Sequence, residues 1–181
     1  ELAGADEYAK QIPLSRAVPM WGGCSHGGFS VVSFHKRKKL NKEEWEEIVK
    51  AGKLTKAIVD LKPVSKRGPW TVLCDGEGFL SAAVCTAAHK TAKVVLWKIP
   101  PKSPDLNPIE RVWAILRKRL RPLDLADAVK KRPVLGKSAY IARVKRIVKS
   151  KTFQKQAANT ALGLKKVCRE VLANNGHATA R

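Results

Sequence analysis

One carboxylate in this chain sits where two kinds of chemistry could use it. In PPKSPDLNPIERVWAILRKRL, residues 100–120, Glu110 could hold a metal ion or simply cap the helix that starts beside it. Asn107 is a good N-cap, Pro108 suits the first helical position, and Glu110 follows the cap by three residues. That is capping-box spacing, in which the carboxylate reaches back to the backbone N–H of the cap. Ile109, Val112, Trp113, Leu116 and Leu120 then recur at helical spacing, leaving Arg111, Arg117, Lys118, Arg119 and Arg121 mostly for the other faces. A second acid, Asp75, closes the apolar run WTVLCDG (70–76), which predicts a central strand covered on both faces and ending on Asp75-Gly76. Thiol and imidazole chemistry is less well supported. Cys24, Cys74, Cys85 and Cys168 form no C-x-x-C pair, and Cys74 and Cys85 lie in apolar settings. They read as buried thiols of a reducing compartment rather than zinc ligands or disulfides.

The largest chemical signal is charge. The chain has 36 Lys and Arg against 15 Asp and Glu, a formal net charge of +21. A surface this basic repels itself unless an anionic partner neutralises it, and the usual partner is a nucleic-acid backbone. An anionic membrane is the weaker alternative, because no long uninterrupted apolar span is present. The length of 181 residues suits one ordinary domain with a small appendage. The chain opens on Glu1, which points to a processed product or a fragment, and no leader sequence is legible in it.

The elements that must position these groups can be read in order. Residues 1–17 show neither alternation nor a helical stripe and are expected to be an irregular arm. VPMWGGCS (18–25) and FSVVSFH (29–35) read as two strands joined through His26-Gly27-Gly28. The basic run Lys36, Arg37, Lys38 and Lys39 follows. Asn41 starts a helix with acids in its first turn, stopped near Gly52, and KLTKAIVDLKPV supplies a second helix ended by Pro63. After the WTVLCDG strand, GFLSAAVCTAAHKTA predicts a crossover helix and KVVLWKIP the next strand, so this middle part is expected to hold a parallel strand pair. Beyond Arg121 only helices are predicted. Residues 122–181 carry fourteen Lys and Arg against three acids. On the helix from Ser138, Ile141, Val144, Ile147 and Val148 form the apolar face, and Arg143, Lys145, Arg146, Lys149 and Lys151 crowd the others. With almost no acids interspersed, these cations are expected to meet phosphate.

The order VPMWGGCSHGG, TVLCDGEGFL and SPDLNPIERVWAILRKRL resembles the catalytic domain of mariner-type transposases, the Asp–Asp–Glu group with a ribonuclease H-like fold. The resemblance covers roughly residues 18–121, and S-P-D-L-N-P-I-E is its most specific part. It implies an α/β fold: a ribonuclease H-like mixed sheet with flanking helices, truncated at its first strand and followed by a basic helical extension over 122–181. It also implies two divalent ions, such as Mg2+, held by three carboxylates. The second family aspartate corresponds to Asp75 and the glutamate to Glu110. The family's first aspartate lies on a strand well upstream of the tryptophan-glycine strand, where this chain offers only Asp6, in GADEYAK.

Two functions follow as expectations. In the first, catalysis is incomplete, no cofactor is required, and the fold serves as a nucleic-acid-binding structural protein. RNA is then favoured over DNA, within a large ribonucleoprotein such as a mitochondrial ribosome. The five tryptophans read as core or strand positions rather than a stacking platform, so contacts to backbone phosphate are expected. The alternative is a Mg2+-dependent DNA transposase or endonuclease seen as a fragment, completed by a third carboxylate.

Overall fold

The computed structural model describes residues 18–35 and 39–176. It contains two small sheets. Strands β1 (Met20–Ser25) and β2 (Gly28–Phe34) form an antiparallel hairpin, with an irregularity between Trp21 and Gly22. Its turn is tight because Gly27 lies against the backbone of Leu61: a Cβ there would come within 2.1 Å of the Leu61 carbonyl oxygen. The Ser25 hydroxyl donates to that same oxygen at 2.8 Å.

Helices α1 (Lys42–Lys50) and α2 (Lys53–Asp60) follow. Asn41 caps α1 as its sequence predicts, its side chain accepting from the Glu44 N–H at 2.8 Å. Strands β3 (Trp70–Cys74) and β4 (Val94–Lys98) pair in parallel, joined by a short 3-10 turn (Gly78–Ser81) and helix α3 (Ala83–Thr91). A second 3-10 turn (Pro104–Leu106) leads into α4 (Pro108–Val129), and α5 (Lys137–Val148), α6 (Lys151–Leu162) and α7 (Leu164–Ala173) complete the chain. Mixed strands, flanking helices and a basic helical extension are thus present as the sequence predicts.

Two apolar cores hold these elements. One gathers Trp45, Leu54, Cys74, Leu80, Cys85 and Val94 between the parallel pair, α1, α2 and α3. The other gathers Phe29, Val112, Leu116, Val144, Val148 and Phe153 between the hairpin, α4, α5 and α6. The hairpin serves both, sending Val32 into the first and Phe29 into the second. Gln154 of α6 ties the tail to the hairpin: it accepts from the Phe29 N–H at 2.8 Å and donates to the Phe29 carbonyl at 2.9 Å. Gly28, at φ +115°, leaves room for that amide, and a Cβ there would meet it at 2.0 Å.

Three local expectations need correcting. The boundary drawn at residue 121 falls inside α4, which runs on through Pro122. A proline removes one helical hydrogen bond and crowds the preceding turn. Here Asp124 and Asp127, just beyond it, are gripped by Arg143 of α5, with Tyr140 donating to Asp124 at 3.0 Å and Arg132 to Asp127 at 3.1 Å. This clamp fixes the turn that follows the proline. Secondly, β3 is not covered on both faces. Its exposed Thr71 and Leu73 lie opposite Val95 and Trp97 of β4, which are 57% and 69% exposed, so one face of this pair is open among the described residues. Trp97 is accordingly a strand residue but not a core one. Thirdly, the capping box at Asn107 does not form. No side chain bonds the start of α4, and the Asn107 N–H is satisfied instead by the Pro104 carbonyl at 3.1 Å.

Candidate active site

Asp75 and Glu110 come from the two halves just described. Asp75 immediately follows β3, and Glu110 occupies the first turn of α4. Both line one cavity of about 840 Å³, whose walls include every residue of β1 and of β3. Neither strand has a second partner among the described residues: β1 pairs only with β2, and β3 only with β4. The cleft therefore lies between two sheet edges, with the carboxylates on its lining. The loop after Asp75 is open, since a Cβ at Gly76 or Gly78 would meet nothing within 4 Å.

A third acid, Glu77, lines the same cleft and was not singled out by sequence. Its carboxyl is raised above the usual range, first by partial burial and then by the Asp75 charge, while the Lys39 ammonium opposes the shift. Glu77 therefore feels the opposing charges of Asp75 and Lys39. Burial, followed by the same Asp75 charge, also raises the Cys74 thiol. Lys98, opposite Cys74 in the strand register, donates to the Ser81 hydroxyl. The motif TVLCDGEG contained Glu77, but only the turn after β3 brings it to the cleft.

The donor chemistry of Asp75 and Glu110, hard carboxylate oxygens, suits Mg2+ or Mn2+. The set is short of a full ligand shell: among the described residues no group of three His, Cys, Asp or Glu side chains could hold a metal ion. Asp6 lies outside the described residues.

The predicted phosphate-binding residues separate into three groups. Lys36, Arg37 and Lys38 lie outside the described residues. Lys39, Arg117, Lys118, Arg121, Lys145, Arg146, Lys149 and Lys151 are exposed. The Lys145 ammonium sits 5.4 Å from the centre of the Phe34 ring. Arg143 differs from the rest. Its side chain is only 13% exposed and its guanidinium is occupied by Asp124, at 2.7 Å, and by Asp127. The Arg143 hydrogen bond holds the Asp127 carboxyl below the ordinary carboxylate range, while burial and then Asp124 push the Tyr140 hydroxyl up to about 12. Sequence spacing put Arg143 among the surface cations because the acids that claim it lie 16 and 19 residues away. Lys165 and Arg169, exposed on α7, were missed because nothing in GLKKVCREVL shows that this helix begins at the cleft.

Among the described residues, no helix is long and apolar enough to cross a membrane.

Comparison with known proteins agrees with this architecture. No curated protein matches the chain. Among solved structures, the catalytic domain of Mos1 transposase with raltegravir and manganese aligns at a TM-score of 0.56 and 14% identity, over 97% of this chain and 90% of that one. The same domain with raltegravir and magnesium aligns at 0.57 and 13% identity, over 97% and 91%. At such identity the likeness is one of fold, and it spans the tail helices as well as the sheets. The sequence pattern of the DDE superfamily endonucleases matches residues 1–131. With that match covering well over half its length, the chain belongs to the DDE superfamily endonuclease family.

Proposed function

We propose that this chain acts as a metal-dependent DNA endonuclease or transposase domain, in which Asp75 and Glu110 hold divalent ions against the scissile phosphodiester. One observation carries the reading: two carboxylates from separate halves of a DDE superfamily endonuclease, one at a strand end and one in the first turn of a helix, line a single open cleft. When bound, Mg2+ or Mn2+ would polarise an attacking hydroxyl and stabilise the leaving oxygen. Asp75 and Glu110 would supply oxygen ligands, Glu77 would add negative charge at the rim, and Lys39 would attract the phosphate backbone. A third ligand has to enter with a segment other than the described residues, and the gap between the edges of β1 and β3 is where an extended strand could pair on both sides. Asp6 is the candidate within this chain.

The test is nicking and strand transfer on duplex DNA with Mg2+ or Mn2+. Asp75→Asn and Glu110→Gln should each reduce the rate at least 100-fold while leaving the fold intact. A rate unchanged in both variants overturns the reading.

One observation favours a second reading. The lack of a three-ligand cluster among the described residues suits a domain that binds nucleic acid without cutting it. Metal-independent binding with no cleavage by the wild-type chain would select that alternative. The expectation of RNA within a mitochondrial ribosome rests on charge alone. The family match favours DNA.

A further inference from the structure

The corner between α6 and α7 bears on the same cleft. Ala161, Leu162 and Leu164 line it together with Glu110, and α7 packs on the Pro104–Leu106 turn that leads into the Glu110 helix. Val167 is the buried residue of α7, while Lys165, Lys166 and Arg169 are exposed. From Lys137 to Ala173 the only acid is Glu170, whose carboxylate lies 3.8 Å from Lys166. Lys165 and Arg169 make no ion pair among the described residues. They stand one turn apart, about 6 Å along the helix axis, which suits one or two nucleotides of a backbone. On the other side of the cleft, the Lys39 charge acts on the Glu77 carboxyl, two residues after Asp75. Each half of the molecule thus brings a cation to the neighbourhood of the acidic lining: Lys39 through its charge on Glu77, and Lys165 next in sequence to the lining residue Leu164.

We propose that α7 is a DNA-holding arm of this cleft. Lys165 and Arg169 contact the phosphate backbone on the Glu110 side, so that a duplex lies across the carboxylates with Lys39 on the Asp75 side. The proposal rests on the functional reading of the cleft and adds the binding surface. Without metal the carboxylates repel phosphate, and the flanking cations are what hold the DNA there. With metal bound, the same placement would deliver the backbone to the ions.

The experiment measures equilibrium binding of the whole chain to a labelled DNA duplex in EDTA, across a salt series, where no cleavage can occur. Lys165→Glu with Arg169→Glu should weaken binding at least 10-fold at low salt. It should also lower the slope of log affinity against log salt by about two, since each phosphate contact contributes roughly 0.9. Lys90→Glu with Lys93→Glu, the same charge change on the exposed end of α3 and its following turn, should leave the slope within about half a unit of wild type. A loss no larger than this control's overturns the proposal, as does tighter binding of RNA than of duplex DNA.

A second arm tests the path. If the duplex crosses the cleft, Asp75→Asn with Glu110→Gln should tighten metal-free binding several-fold by removing repulsion. That gain should shrink when Lys165 and Arg169 are also reversed. No gain means that the DNA lies elsewhere, and the proposal fails. An absence of cleavage with both binding effects intact would instead remove the catalytic reading and leave the arm standing.

Discussion

The two halves of the molecule are built on different principles. The half that carries Asp75 centres on Trp45, fully buried, whose indole N–H donates to His89 Nε2 at 2.8 Å inside the core. The half that positions Glu110 centres on Phe153, also fully buried, against Phe29 at 5.5 Å between ring centres and with Trp113 stacked edge-on to Phe29 at 5.4 Å. The first half therefore buries a histidine against its core, and the second core contains none among the described residues. The first is also local in sequence, from Val32 to Val94, whereas the second joins Phe29 to Ala157. Long-range closure makes the second half the one in which the tail must be docked before the helix of Glu110 is supported on both sides.

The largest expected effect breaks that second half. Phe153→Ala should destabilise the chain by about 3–5 kcal/mol, because it empties a fully enclosed aromatic site. Hydrogen exchange should show protection lost first in α5, α6 and the hairpin. Equal loss in α1 and α3 would mean that the two cores unfold as one unit and the comparison has no energetic content.

Gln154→Ala should follow, at about 1–3 kcal/mol, since it removes the acceptor of the Phe29 N–H and one donor to the Phe29 carbonyl. Chemical denaturation reads this directly. A change within error would show that water replaces the amide at no loss.

The next effect is specific to the first half. Burial lowers the pKa of His89 from its ordinary 6.5, and its Nε2 accepts a hydrogen bond that protonation would abolish. Folding therefore favours the neutral ring. The resulting stability is fully present above about pH 6.5 and is lost progressively as the pH falls below it. His89→Gln, which keeps an acceptor but cannot titrate, should flatten the stability profile between pH 7 and 5. An unchanged slope would place the acid sensitivity in other groups.

The smallest effect concerns Glu110 itself. With the Asn107 N–H already bonded to Pro104, Glu110→Gln should alter thermal stability by less than about 0.5 kcal/mol, within the range of ordinary surface substitutions. A loss above about 1 kcal/mol would restore a structural role for the carboxylate.

Much of the local organisation was legible in the chain. Asn41 and the first-turn acids announced α1, the apolar runs announced β3 and β4, and the repeats of Ile109, Val112 and Leu116 announced the start of α4. These signals are local, carried by caps and periodicity within a few residues. Asp75 and Glu110 were legible through their motifs. The clamp on Arg143 was not, because charge patterning along one helix cannot reveal an acid on another. The exposure of Trp97 was missed for a related reason: an apolar strand advertises hydrophobicity, but whether a neighbour covers each face depends on packing.

By itself, then, the sequence determined the element order, the basic character and the two acids at element ends, since each depends on residue type and near neighbours. Only the tertiary structure decided that both acids line one cleft, that Glu77 joins them, that Arg143 is withdrawn into ion pairs and that α7 begins beside Glu110. Those outcomes require residues tens of positions apart to pack together, and a one-dimensional pattern contains no distances between them.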